Sequence, residues 1–497
     1  MTSTLAQDAA RAANRAPLAG RYPVGVSIAL LGLCPFIVLT TAFTFTEKSV
    51  IADLHTTMLF AQLSNALANA AYAFGAVTAA DLILRLPQRW LYVGSEAVFI
   101  AGSLLAALAP GMAMFTLGRV LQGLMTGMLL VVALPPLVTN YGAGKLPLSA
   151  LYVNLGLFGM VTLGPVAGGV AGSYHGWRLL FAAIAAVGAV GLLVGLFGYG
   201  HKSAPSPAIG FDFSAVPLAF GGTFLPFFAV SWVAAGGLTS PWFLAPLLIG
   251  VAMLGGLVAR QFAKPRALMP VRPISHTLPV VGIGVAMIGG AGFVALLELS
   301  SNYLMMVLKQ PPVLVGGLLA PMLIGITVGA VMFRWLLPTR WLPLLVLGGL
   351  GVLAVAAAAL LALDPATAMV LVPVVAVLLG FGAGAAVAPG LFMAGLSVPS
   401  SSVGPTFALV ELLRSEAAFI LAPLLSYVAM TSAGSLSGGI LLGIGVTFGL
   451  IAIVSPVLIG LLLLGGVGPH APDLEAWVRG DDIAYDSPRI AAAIRGR

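Results

Sequence analysis

The amino-acid sequence predicts an all-α polytopic membrane protein, and three observations carry that prediction. Of 497 residues, 60% are hydrophobic and only 7% are charged, against about 25% charged in soluble domains. Mean hydropathy is +1.10. Apolar windows of about 20 residues, the length at which a helix crosses the hydrocarbon, recur from residue 24 to residue 465. Lipid offers backbone amides no partners, so each window must satisfy its own hydrogen bonds as a helix.

Charges and Pro/Gly turns divide these windows into fourteen spans. The first, 24 to 44, follows Arg11, Arg15 and Arg21; its length and the lack of a small-x-small cleavage pattern make it a span rather than a secretion signal. The second, 58 to 80, is closed by Asp81, and the third, 90 to 109, opens on Trp90, an interfacial anchor. Next come 112 to 136, holding Arg119 and Gln122, then 147 to 172, rich in Gly, and 177 to 199, opening on Trp177-Arg178. The seventh and eighth run 213 to 233 and 242 to 262, and the ninth, 277 to 300, ends on Glu298. The last five run 312 to 334, 342 to 362, 367 to 394, 404 to 430 and 438 to 465. The domains read from this are a tail (1 to 22), a six-helix half (23 to 200), a linker with two extra spans (201 to 272), a second six-helix half (273 to 466) and a C-terminal tail (467 to 497).

Lys and Arg set the orientation, because cytoplasmic loops hold the excess of both. With the N-terminus inside, seventeen of the 22 Lys and Arg fall on the cytoplasmic side, three (Lys48, Arg178 and Lys309) fall outside, and Arg119 and Arg414 lie within spans. An even number of spans returns the C-terminus to the cytoplasm. The net charge of +7 is thus explained without nucleic acid. Leu86-Pro87-Gln88-Arg89-Trp90-Leu91 is echoed by Leu337-Pro338-Thr339-Arg340-Trp341-Leu342; both lead into a Trp-anchored span, as two parallel repeats require.

Enzyme signatures are missing. Gly144-Lys145 is followed by Leu146, so no phosphate-binding loop exists to couple nucleotide hydrolysis. His55, His175, His201, His276 and His470 are scattered, and the single cysteine, Cys34, permits no intrachain disulfide. Gly380-Phe381-Gly382-Ala383-Gly384-Ala385 imitates a dinucleotide fingerprint but lies inside an apolar span, where it reads as helix packing. No metal or cofactor is expected, and the proton gradient is the expected energy source.

Intramembrane charges are the stronger signal, since each costs about 2.5 to 3.5 kcal/mol at a helix centre. The thirteenth span carries Glu411, Arg414 and Glu416. Glu411 and Arg414 share a helix face, whereas Glu416 points elsewhere and needs another partner. They are candidates for proton coupling, together with Arg119 and Glu298. Gln122, on the face of Arg119, and Asn69 are candidates for the substrate cavity. Asp81, Arg85 and Arg89, around one short turn, are a candidate cytoplasmic gate. Glu96 is expected to meet the cytoplasmic loop, and Glu47, Lys48 and Asp53 to form a solvated outer face. Gly164-Pro165-Val166-Ala167-Gly168-Gly169 is poor helix material, Gly costing about 1 kcal/mol and Pro about 3 kcal/mol against Ala, so its neighbours must approach closely.

These residues resemble the major facilitator superfamily, in its fourteen-span drug:proton antiporter branch. The branch's antiporter signature is matched by Gly164, Pro165, Gly168 and Gly169, its fourth-span motif by Arg119-Val120-Leu121-Gln122-Gly123, and its sixth-span opening by Trp177-Arg178. Asp212 and Arg414 also fit the pattern. The cytoplasmic loop motif is eroded: Asp81 and Arg85 are retained, but Val77 and Leu84 replace Gly and Leu82 replaces Arg. The first-span acid is replaced by Leu39-Thr40-Thr41-Ala42.

The resemblance implies a major-facilitator fold in a bacterial-type cytoplasmic (inner) membrane. It also implies proton-coupled efflux of a hydrophobic or amphipathic small molecule by alternating access. An importer or symporter on the same fold, and a non-transporting scaffold or receptor, are the alternatives. Partners would be the substrate, protons and the lipid bilayer, with neither nucleic acid nor nucleotide.

Overall fold

The computed structural model describes residues 16–200, 212–264, 269–431, 434–465 and 471–495. Arg11, Arg15, Lys202, Arg266 and Arg497 from the charge count lie outside the described residues.

Each expected span has a helix. They are α1 (Tyr22–Asp53), α2 (Met58–Arg85), α3 (Gln88–Ala107), α4 (Met112–Thr139), α5 (Leu146–Ser173), α6 (Trp177–Gly198), α7 (Ala215–Gly236) and α8 (Pro241–Ala263). After these come α9 (Thr277–Asn302), α10 (Pro312–Leu336, broken after Leu319), α11 (Leu342–Leu360), α12 (Ala368–Leu396), α13 (Val403–Thr431) and α14 (Leu436–Leu464). Thirteen of them are long and apolar enough to cross a membrane. The remaining helix, α13, is 29 residues long and carries Glu411, Arg414 and Glu416 within a few residues of one another. Prolines at 35, 165, 226, 389 and 423 lie inside helices, where neighbouring helices compensate for the lost amide.

Packing divides the helices into two bundles with one pattern. In the first, α1 packs on α4, α5 and α6, α2 on α4, and α3 on α4 and α6. In the second, α9 packs on α12, α13 and α14, α10 on α12, and α11 on α12 and α14. Adding eight to each helix of the first bundle reproduces the second, which is the signature of a parallel repeat. The echoed hexapeptides occupy equivalent turns, and each stacks its Arg on its Trp, at 5.8 Å for Arg89 on Trp90 and 4.7 Å for Arg340 on Trp341. Two seams join the bundles, α5 on α10 and α13 on α2. Helices α7 and α8 form a hairpin whose first member packs on both α2 and α13.

The expected C-terminal tail folds back onto the second bundle through α15 (Leu474–Arg479) and α16 (Ile490–Arg495). Trp477 is fully buried and donates its indole N–H to the Val398 carbonyl at 2.8 Å. The Ala484 amide donates to the Leu396 carbonyl at 2.9 Å, and the Thr277 amide to the Pro488 carbonyl at 3.0 Å. On its other side α15 touches the Ala143–Lys145 turn of the first bundle.

Candidate functional site

A cavity of about 300 Å³ lies between the bundles. Its walls come from α1, α2, α4, α5, α7, α9, α12 and α13, and they are mostly apolar and aromatic, with Phe36, Phe158, Phe227, Phe293 and Phe419 among them. It reaches Met58 at the start of α2, Met306 beyond α9 and Met430 near the end of α13, so its mouth lies at the end of the molecule carrying the α1–α2 turn. At the opposite end it is closed. Gly404, at the start of α13, packs against Ile83 of α2 and Pro135 of α4.

The floor of the cavity holds two of the three charges expected on α13, Glu411 and Arg414. The Arg414 guanidinium makes a two-pronged ion pair with Glu411, its Nε donating to Oε2 at 2.9 Å and its Nη2 to Oε1. The three-residue helical spacing places both groups on one face, as expected. Tyr72 of α2 donates its hydroxyl to Glu411 Oε1 at 2.9 Å, so the carboxylate is held from both bundles. Tyr72 is a site residue that sequence reasoning missed; the available signal is a lone phenol in the Ala-rich middle of α2, where a buried hydroxyl needs a partner. Glu416 is buried, and neither of its carboxyl oxygens has a hydrogen-bond partner. It does not line the cavity.

Nearer the mouth, Glu298 of α9 accepts from the Ser426 hydroxyl of α13 at 2.6 Å and lines the cavity. Glu47 lines it too, rather than belonging to a solvated outer face with Lys48 and Asp53. The helical turn that exposes Lys48 aims the residue before it inward. Asp53 accepts from the Trp177 indole at 2.7 Å. Glu96 is also displaced from its expected role: it is buried against Gly191 of α6, inside the first bundle.

Arg119 is fully buried on α4. Its Nη1 donates to Gln122 Oε1 at 3.1 Å and its Nη2 to Asn65 Oδ1 at 2.8 Å, and Gln122 in turn donates to Ser103 at 2.8 Å. The rings of Phe36, Phe43 and Phe181 stand 5.4, 5.9 and 5.8 Å from the guanidinium. The positive charge is therefore held by neutral dipoles and ring faces. Of the two candidate cavity residues, Asn69 lines the cavity and donates to the backbone carbonyl of Asn65 at 2.9 Å, the residue whose side chain holds Arg119. Gln122 does not line it; it is turned into the hub.

The Gly-rich stretch of α5 makes the expected close contacts on two sides. A Cβ at Gly168 would stand 2.6 Å from the Ala42 carbonyl oxygen of α1, and one at Gly169 2.5 Å from that of Pro312 on α10. Gly164 abuts Thr41 of α1, and Gly316 of α10 abuts the Pro165 carbonyl. Asn154, also on α5, donates to the Gly384 carbonyl of α12 at 2.7 Å, so the false dinucleotide fingerprint serves as a helix surface. Trp177 is fully buried, and Arg178 caps the end of α3 by donating to the Ala107 and Ala109 carbonyls at 2.8 and 2.9 Å.

At the closed end Asp81 and Arg85 pair along one helix face, with contacts of 2.8 and 2.6 Å. Arg89 donates to the Leu196 carbonyl at the end of α6 at 2.9 Å. Among the described residues no group of three or more His, Cys, Asp or Glu side chains is placed to hold a metal ion.

Comparison with known proteins places this geometry. A multidrug resistance protein B homolog of Mycobacterium tuberculosis is 27% identical over 322 residues, covering 61% of this chain and 58% of that protein. The uncharacterized transporter YubD of Bacillus subtilis is 26% identical over 52% of this chain and 50% of its own length. The efflux pump dotC of Dothistroma septosporum is 27% identical over 59% and 51%. The chain thus spans about half the length of the curated relatives it matches. A crystal structure of the peptide transporter POT superposes with a TM-score of 0.64 at 15% identity, covering 91% of this chain and 98% of that one, a likeness of fold. The sequence profile of the Major Facilitator Superfamily matches residues 28–423, and with the repeated helix pattern and the cavity between the bundles, the chain belongs to that superfamily.

Proposed function

We propose that the protein is a secondary active transporter that exports a hydrophobic or amphipathic small molecule in exchange for protons. All fourteen long helices cross the membrane in this reading, α13 included, with both termini in the cytoplasm of a bacterial-type cell. The Lys- and Arg-poor end is then external, and the cavity faces outward. Its volume and apolar walls suit a small lipophilic cargo. The efflux names carried by several relatives favour export.

The observation that carries the reading is the Glu411–Arg414 pair, set on the cavity floor and held from the opposite bundle by Tyr72. A proton taken from the mouth by Glu411 would discharge the carboxylate and weaken its hold on both Arg414 and Tyr72. The α2–α13 seam then loosens and the bundles rock, in an alternating-access cycle. Glu298 lies on the route from the mouth, and Glu416 is a second buried acid on the same helix. Asp81, Arg85 and Arg89 close the cytoplasmic end, and the proton gradient replaces nucleotide as energy source.

The test is flux of amphipathic dyes in oriented proteoliposomes under an imposed pH gradient. Wild-type protein should move dye out of the cytoplasmic-side compartment as protons run inward, and Glu411→Gln should abolish the pH dependence. Flux unchanged in both Glu411→Gln and Glu416→Gln sinks the coupling assignment. Movement of dye in the same direction as the protons makes the chain a symporter.

A further inference from the structure

The two extra spans look like spacers between repeats when only the sequence is read, but α7 does not sit apart from the cavity. It lies across the α2–α13 seam, touching both bundles. On the α2 side, Phe74 packs edge-on against Phe220 and Phe224 at 5.7 and 6.1 Å. On the α13 side, Phe227 meets Phe419 at 6.2 Å, and Val230 and Val233 pack with Leu424 and Tyr427. Between these anchors Phe227, Val230, Ser231, Val233 and Ala234 line the cavity.

The equivalent seam needs no such cover. Where α5 meets α10, glycines bring the backbones together at Gly169 and Gly316. At α2–α13 the contact is made by side chains, Tyr72 reaching Glu411 and Ile83 packing on Gly404, and a third helix packs over both.

We propose that α7 is a cargo-contacting wall that shuts the cavity off from lipid at the α2–α13 seam, and that its Val230 and Ala234 help set which cargo sizes are accepted. The Ser231 hydroxyl is already spent on the Phe227 carbonyl at 2.9 Å, so the wall presents apolar bulk rather than polar recognition, and its selection is by shape. This proposal rests on the transporter reading given above.

Ala234 is both exposed and a cavity residue, so it is the position to probe. Phe220, on the same helix, is half exposed and does not line the cavity. In a Cys34→Ser background, Ala234→Cys should react with a positively charged methanethiosulfonate added at the mouth side. Because thiolates form and react in water rather than in lipid, it should label at least about tenfold faster than Phe220→Cys. Any dye that wild type transports should slow that labelling. Ala234→Trp, at normal membrane abundance, should cut transport of the bulkiest such dye by about tenfold relative to the smallest, the range that pocket volume commands.

Equal labelling of the two cysteine variants overturns the wall. So does an unchanged dye preference in Ala234→Trp. If wild type moves no dye while Ala234→Cys still labels faster, the transporter reading fails and the water-facing position of α7 stands.

Discussion

The two seams between the bundles occupy equivalent places in the repeat, yet they are built from opposite materials. Along α5–α10 small residues bring backbone against backbone, and Asn154 adds a hydrogen bond to the Gly384 carbonyl of α12. Along α2–α13 the same topology carries Tyr72, Glu411 and Arg414, and a helix from outside the repeat covers it. Close backbone contact in lipid is held by dispersion over a wide area and has no group to titrate. A charged, partly wetted contact is held by few interactions, each sensitive to a proton. The contrast suits a pivot on one side of the cavity and a releasable contact on the other.

The largest expected effect comes from filling the glycine seam. Gly169→Leu places four carbons where a single Cβ already meets the Pro312 carbonyl, and overpacking of this kind costs about 1 to 3 kcal/mol or more. Dye flux should fall to background while the protein still inserts. Gly168→Leu should do the same through α1, and Pro165→Ala should impair flux less, since it removes a bend without adding bulk. Normal flux in all three reduces the motif to ordinary packing and removes the pivot.

In its effect on dye flux, breaking the charged seam should rank next, although its cost in stability is the larger. Glu411→Gln leaves the Arg414 guanidinium buried without its carboxylate, a loss of about 3 to 5 kcal/mol for pairs of this kind. Replacing both, as in Glu411→Gln with Arg414→Gln, removes the uncompensated charge, so the double variant should unfold at a higher temperature than the single one in detergent. Tyr72→Phe deletes only the hydrogen bond across the seam, worth about 1.5 to 3 kcal/mol to a charged acceptor. It should shift the conformational equilibrium rather than the fold, read as faster labelling of cysteines placed at the closed end. If Tyr72→Phe matches wild type there, the bond does not hold the bundles together.

Much of this was legible in the chain. The positions of the long apolar helices follow from hydropathy, because in lipid the backbone leaves few alternatives, and Glu411 with Arg414 follows from helical spacing. The Trp-anchored hexapeptides marked the repeat that the packing displays. What the sequence hid depends on where a helix face points. Glu47 and Lys48 are adjacent and both polar, yet one lines the cavity and the other is exposed. Arg119 drew attention as a charge, but that it is held by Asn65, Gln122 and three rings is a property of four helices meeting. The tail read as polar because its charges outnumber its anchors, Trp477 and Tyr485, which are the residues that dock it. The role of α7 had no sequence signal, since a lipid-facing phenylalanine and a cavity-facing one are spelled alike.

The smallest effect belongs to the fastening of the hairpin that covers the charged seam. Just before α7, Asp212 pairs with Lys264, at the end of α8, at 2.5 Å, and Arg260 donates to the neighbouring Ser214. Burial alone would push the Asp212 carboxyl up, but its hydrogen bonds to Lys264 and Ser214 and the charges of Lys264 and Arg260 outweigh this and hold it below its usual value. A depressed folded-state value means that the contribution is complete above the unfolded carboxylate's value, about 3.9, and is lost as pH falls through the folded one. The hold of the hairpin should therefore be flat from neutral pH down to about 4 and weaken only below it. With Lys264 a third exposed, the pair is worth no more than about 1 kcal/mol. Asp212→Asn should raise hydrogen exchange in α7 and α8 by at most about fivefold at neutral pH, remove the acid-side change, and leave α1 to α6 untouched. Exchange that rises equally across the first bundle would show that Asp212 supports the whole closed end, where it shares a crevice with Asp81 and Thr78, rather than the hairpin alone.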